Sequence, residues 1–130
     1  MASILIVEDD PSVGRMLDLA LGVDGHTTEL VTTGGAARER LAGQHVDLVL
    51  LDVMLPDVDG LTLLEELRSR PEWAGTRVVV VSALDSDEDV WRGWANGTDY
   101  YLTKPFDLAQ LRSVIERLLA DEDLSALRQR

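Results

Sequence analysis

The 130-residue chain has no cysteine, one lysine, one phenylalanine and four prolines. Without cysteine there is no disulfide framework, no thiolate nucleophile and no Cys-based zinc site. No apolar run approaches the roughly 18 residues that a membrane span requires. No signal-peptide pattern opens the chain, so the expectation is a cytoplasmic protein with no membrane partner. Positive charge is scarce: 12 basic residues face 24 acidic ones, a net charge of −12 at pH 7. Such a chain is repelled by a phosphate backbone, which argues against direct nucleic-acid binding. What remains is ample apolar material, 45% of residues, in a length suited to one domain with its own core. Lys104 is the only lysine and the other 11 basic residues are arginine. A surface served by arginine leaves this ammonium as a candidate for a role that arginine cannot fill.

Five short apolar runs punctuate the chain: Ile4–Val7, Thr27–Thr32, Val46–Leu51, Val78–Val81 and Tyr100–Leu102. The first, third and fourth are continuously apolar, as in strands covered on both faces of a parallel sheet. The second carries Thr27, Thr28, Glu29 and Thr32, which suits an edge, and the short aromatic fifth suits the opposite edge.

Helical patterns lie between. Asp10 before Pro11 caps a helix to about Leu21, with Val13, Leu17, Ala20 and Leu21 on its apolar face. Thr33 caps a second helix through Ala42, with Gly34 and Gly35 weakening its first turn. Asp59 caps a third through Leu67, and Ser86 with Asp89 resembles a capping box for a fourth to Ala95. Asp107 with Gln110 does the same for a fifth, striped by Leu108, Leu111, Ile115 and Leu118. Residues 1–120 then form one domain. The charged tail, 121–130, extends helix five or frays. Five strand–helix alternations predict a doubly wound α/β fold with a five-stranded parallel sheet and five helices.

In such folds the functional site lies beyond the carboxyl ends of the strands. Those ends carry Glu8, Asp9 and Asp10 after strand one, Asp52 after strand three, Ser82 after strand four, and Thr103–Lys104–Pro105 after strand five. Crowded carboxylates repel, and a hard divalent cation relieves the repulsion. Few carboxylates with room for carbonyl and water ligands suit Mg²⁺, or Mn²⁺, better than Ca²⁺. Lys104 offers a point charge and Ser82 a rotatable donor for oxygens of a phosphoryl group. Asp52 is the residue placed to carry that group as an acyl phosphate.

These residues resemble the response-regulator receiver domain of two-component signalling, over about Ser3 to Leu119. The matching motifs are Ile4–Pro11 with its acidic pair, Leu50–Pro56 with Gly60, Val81-Ser82-Ala83, and Tyr101–Phe106 with Lys104-Pro105. Their order and spacing, 43 residues from Asp9 to Asp52, 30 to Ser82 and 22 to Lys104, make the resemblance specific.

The resemblance implies a flavodoxin-like sheet of order 2-1-3-4-5. It implies a phosphorylation switch rather than a turnover enzyme. Asp52 is the expected phosphoacceptor from a sensor histidine kinase or phosphotransfer protein. Asp9, Asp52 and the Met54 backbone carbonyl are the expected metal ligands, with Glu8 acting through metal-bound water. Ser82, Ala83 and Lys104 are expected to bind the phosphoryl group. Ser82 and Tyr101 form the switch, Met54 and Leu84 tune the lifetime, and Lys104–Pro105 is a cis peptide. The output protein or domain is expected at the face of helix four, strand five and helix five, in a monomer or a phosphorylation-dependent dimer.

Alternatives stand beside this. The first is a receiver fragment of a DNA-binding transcriptional regulator. Yet Val90, Ala95, Tyr100 and Val114 stand where the winged-helix branch usually carries charge, which favours a stand-alone receiver or another branch. A small Mg-dependent phosphohydrolase with an aspartyl-phosphate intermediate lacks the second Asp two residues after the nucleophile, where Met54 stands. A receiver that works without phosphate fits poorly with Asp9, Asp52, Ser82 and Lys104 all present. Asp57, Asp59, Gly60 and Glu66 imitate a calcium-loop spacing, but no helix precedes them. Trp91 and Trp94 are split between hot spot and core, and Trp73 reads as a loop anchor. His26 and His45 read as structural and without nearby partners.

Overall fold

The computed structural model describes residues 2–84 and 86–124. Five parallel strands form one sheet in the order β2-β1-β3-β4-β5. They are β1 (Ser3–Val7), β2 (Thr27–Val31), β3 (Leu48–Leu51), β4 (Arg77–Ser82) and β5 (Tyr100–Thr103). The helices are α1 (Pro11–Val23), α2 (Gly34–Gly43), α3 (Gly60–Ser69), α4 (Asp87–Ala95) and α5 (Leu108–Leu119). The mixed-polarity strand β2 and the aromatic β5 are the two edges, as expected.

Strand alternation divides the core in two. Leu5, Val7, Val49, Leu51, Val78 and Val80 face Ala37, Leu41, Leu64, Leu67, Val90 and Trp94 from α2, α3 and α4. Ile4, Ile6, Leu48, Leu50, Val79 and Val81 face Leu17, Leu21, Leu111, Val114, Ile115 and Leu118 from α1 and α5. Each fully buried Val, Leu or Ile contributes about 1.5–3 kcal/mol, so the double-sided sheet is the main source of stability.

Each helix begins just beyond a strand's carboxyl end and is capped there. Asp10 accepts the Ser12 and Val13 N–H groups, Thr33 that of Ala36, Asp59 that of Leu61, Ser86 that of Asp89 and Asp107 that of Ala109. One edge of the sheet therefore gathers strand ends and helix N-termini, the positive ends of the helix dipoles.

Several local features differ from the sequence reading. β3 starts at Leu48, not Val46; Asp47 just before it is tied to β1, its carboxylate accepting the Ser3 N–H at 2.8 Å and its own N–H donating to Ser3 O at 2.9 Å. β2 ends at Val31 rather than Thr32. A 3₁₀ turn at Pro71–Trp73 follows α3. It buries Trp73, whose indole N–H donates to Leu41 O at 3.2 Å. Both histidines have partners: His26 Nδ1 lies 3.3 Å from Ala2 N, and His45 Nε2 lies 3.0 Å from Asp47 Oδ1. α5 stops at Leu119, and Asp121 takes a left-handed φ of 68°. Leu124 then packs into the α1–α5 core. The remainder of the charged tail, 125–130, lies outside the described residues. Val90 and Val114 are core residues, each 5% exposed, so neither can carry a surface charge pair. Trp94 is buried against Tyr100, with ring centroids 5.8 Å apart, while Trp91 is exposed.

Candidate functional site

The strand ends converge as the sequence predicts. Asp52 N–H donates to Val7 O at 3.0 Å, which sets the end of β3 beside the end of β1. Lys104 N–H donates to Ser82 O at 2.7 Å, which does the same for β5 and β4. Behind Asp52 the chain folds back on itself. Gly60 N–H donates to Val53 O at 2.8 Å, and a Cβ on Gly60 would lie 2.4 Å from Val53 Cα. Only glycine permits this approach, which closes the loop from Val53 to Asp59 under the site.

Ligand oxygens of Glu8, Asp9 and Asp52 all lie within 4.8 Å of one another. Glu8 and Asp52 are buried, 2% and 5% exposed, and Asp9 is at the solvent edge. The Lys104 ammonium reaches in from β5, 2.8 Å from Glu8 Oε1 and 3.1 Å from Asp52 Oδ2. The Lys104–Pro105 peptide is cis. The other oxygen of Asp52 accepts the Met54 N–H at 2.9 Å, and Glu8 Oε2 accepts the Asp10 N–H at 3.1 Å.

Burial raises the pKa of Glu8, and the hydrogen bonds from Lys104 and Asp10 only partly oppose it. Burial disfavours the Lys104 charge, but its bonds to Glu8 and Asp52 outweigh this and raise its pKa. Two of the three carboxylates, Glu8 and Asp52, thus share one ammonium. The negative excess could hold a metal ion, and oxygen-only donors suit a hard one.

Ser82 is fully buried, and its Oγ accepts the Leu84 N–H at 3.2 Å. Ala83 follows at the surface. Tyr101 lies inward, 7% exposed, and its hydroxyl donates to Leu84 O at 2.7 Å. The Leu84 backbone is therefore held at one end by Ser82 and at the other by Tyr101. Met54, whose N–H is held by Asp52, is 54% exposed, and Leu84 is half-buried.

Two nearby roles were not read from the sequence. The Asp57 carboxylate takes the N–H groups of Gly34 and Gly35 at 2.8 and 2.9 Å, docking the β3–α3 loop on the first turn of α2. Those amides hold the carboxyl of Asp57 below its ordinary range. With Asp59 capping α3 and Glu66 paired to Arg38, the calcium-like spacing is fully occupied by other work. The second role is that of Gly93 in α4, which lies against the Tyr101 ring. A glycine inside a helical pattern was the available signal for close approach.

A profile of the response regulator receiver domain matches residues 4–116. The transcriptional activator PfeR of Pseudomonas aeruginosa is 40% identical over 89% of this chain and 37% of its own length. The chain spans about half or less of the first curated relatives it matches. The Francisella response regulator 1452 receiver domain superposes with a TM-score of 0.87 at 30% identity, covering 93% of this chain and 98% of that one. The receiver domain of the Pseudomonas aeruginosa sensor histidine kinase PA1611, described with a magnesium ion in its active site cleft, gives 0.84 at 28% identity. It covers 92% of this chain and 98% of that receiver. With its fold, its strand-end site and these matches in agreement, the chain belongs to the response-regulator receiver domain family.

Proposed function

We propose that Asp52 accepts a phosphoryl group from a phosphohistidine donor and that its new charge resets the face of α4, β5 and α5. The observation that carries this reading is the contact of Lys104 Nζ with both Glu8 and Asp52. It brings the only lysine of the chain to the carboxylate that the resemblance marks. An Asp52 oxygen attacks phosphorus, the donor's N–P bond breaks, and the leaving imidazole retains the electron pair and picks up a proton. Both reactants are anionic, so the step depends on positioning and charge neutralisation. Lys104 shifts from its carboxylate partners to a phosphoryl oxygen, and Ser82 Oγ and the Ala83 N–H serve the others. Asp9, Asp52 and the Met54 carbonyl would hold Mg²⁺ or Mn²⁺, with Glu8 acting through water, and the cation would neutralise charge on the phosphoryl oxygens.

The reading is a switch and not a hydrolase. Met54, beside Asp52, offers no acid for a leaving group. The test is incubation with acetyl phosphate, with and without Mg²⁺. One phosphoryl group per chain, dependent on the cation, supports the switch. Sustained turnover of p-nitrophenyl phosphate would replace it with the hydrolase. A histidine kinase as donor and a cytoplasmic setting follow from the same reading.

The output has a second support in the names of the relatives. Several are transcriptional regulators of about twice this length or more, including PfeR and the Mycobacterium tuberculosis regulator TcrA. We therefore also propose that the switched face serves a transcriptional output on the same or a separate chain. The solution mass with and without beryllofluoride distinguishes a dimerising output from a monomeric one.

A further inference from the structure

We propose that Gly93 of α4 is the gate that admits Tyr101 to its inward pose, and so controls what the α4–β5–α5 face presents. This rests on the proposed phosphorylation switch for its purpose, but not for its geometry. Glycine is the poorest helix former after proline, so one inside a nine-residue helix calls for a reason. The reason lies in β5. A Cβ at position 93 would stand 2.5 Å from Tyr101 Cδ2 and 2.8 Å from Cε2. Those atoms belong to a stiff ring, and both ends of its setting are fixed. Its backbone is in the sheet, paired with Val80, and its hydroxyl is bonded to Leu84 O. The ring cannot yield a few tenths of an ångström and keep both. With a methyl group at 93, either the ring leaves or α4 moves away.

The pose has consequences on both sides. Toward the site, Leu84 links the two hydroxyls through its backbone: its C=O accepts from Tyr101 and its N–H donates to Ser82 Oγ, the hydroxyl proposed to meet the phosphoryl group. Toward the surface, Tyr101 walls a cleft of about 330 Å³ together with Trp94, Tyr100, Phe106 and Gln110. Turning the ring outward reshapes that cleft. Gly93 lies against Tyr101 and acts through it, as a positioning residue. Coupling is reciprocal: if phosphorylation favours the inward ring, blocking that pose weakens binding of a phosphoryl mimic.

The test uses the full chain carrying 3-fluorotyrosine, whose two ¹⁹F signals are assigned with Tyr100→Phe. In the parent, the Tyr101 signal is expected to be insensitive to exchange of H₂O for D₂O. In Gly93→Ala it is expected to become sensitive, and beryllofluoride with Mg²⁺ to bind about 5-fold or more weakly. Thermal melts close a cycle. Gly93→Ala is expected to lower Tm while Tyr101 is present. In a Tyr101→Ala background the same substitution is expected to leave Tm unchanged or raise it, since helix propensity alone remains. If Gly93→Ala alone does not fold, the double variant is expected to fold. A ring that stays shielded in Gly93→Ala, an equal Tm effect in both backgrounds, or an unfolded double variant would each overturn the proposal. The ring signal needs no phosphorylation. Failure of acetyl phosphate to label the parent would therefore remove the switch reading while leaving the gate decided on its own result.

Discussion

Lys104 Nζ lies 2.8 Å from Glu8 Oε1, a contact across 96 residues that ties the first strand's end to the last. It is a compact ammonium in a space closed by two buried carboxylates. A guanidinium is planar, larger and bound to its own fork geometry, so it cannot occupy the same point between Glu8 and Asp52. Lys104→Arg is expected to retain labelling by acetyl phosphate to within about tenfold, since the positive charge survives. It is expected to lose the conformational response at the α4–β5–α5 face, read by tryptophan fluorescence. A full response in Lys104→Arg would show that any cation suffices there.

The phosphorylated state is expected to be long-lived. Met54 and Leu84 flank the site and are both apolar, so neither can orient a water for attack on the acyl phosphate. The isolated domain in Mg²⁺ should hold its phosphate for well over minutes after the donor is removed. Loss within minutes, followed by gel shift, would count against this. Met54→Asn, which supplies a polar group at that place, is expected to shorten the lifetime.

Arg68 is the chief fastener at the opposite end of the sheet. Its guanidinium donates to Gly97 O and Thr76 O, both at 2.7 Å, and to Asp99 Oδ2 at 2.8 Å. Arg77 also pairs with Asp99, whose carboxylate accepts the Val78 N–H at 2.8 Å. Arg68→Ala strands two carbonyls and half-frees a carboxylate, at a cost of roughly 2–3 kcal/mol. The expected fall in Tm is about 4–12 °C in a scanning calorimeter, with labelling of Asp52 unchanged. A change below about 1 °C would mean water replaces the arginine without loss.

Asp47 gives the acid side of stability. The Ser3 N–H, then His45, hold its pKa below the ordinary 3.8. A depressed carboxylate contributes stability above its unfolded pKa and loses it as pH falls through the lower folded value. Asp47→Asn is therefore expected to be less stable than the parent at pH 7, with the difference shrinking below about pH 4. Urea melts at pH 7 and pH 3 check this. A difference that is constant with pH would assign the effect to packing instead.

Legibility in the sequence followed locality. Strand ends and caps were readable because each is a short pattern: an apolar run stopped by an acid, or a Ser, Thr or Asp ahead of an amphipathic stretch. The candidate site was readable for the same reason, since its proposed residues, apart from Tyr101 inside β5, sit at a strand end or within the next few residues. What escaped were pairings fixed only by the tertiary fold. Asp57 finds Gly34 across 23 residues and Arg68 finds Asp99 across 31, with no local spacing to mark either. Gly93 was visible as an interior helix glycine, but its reason is a ring on β5. His26 looked isolated because its partner, the Ala2 N–H, comes from 24 residues away, whereas the partner of His45 is the local Asp47, two residues on, which the sequence reading passed over. Val90 and Val114 looked like missing surface charges, and burial turned them into core.

The central claim is that Asp52 carries the phosphoryl group. The most direct measurement is to incubate the chain with acetyl phosphate and Mg²⁺, reduce with borohydride, digest, and map the product by mass spectrometry. An acyl phosphate is reduced to the alcohol, so the account predicts homoserine at position 52 alone, and none in Asp52→Asn or with the cation chelated. Homoserine at Asp9 or any other acid, or equal labelling of Asp52→Asn, would contradict it.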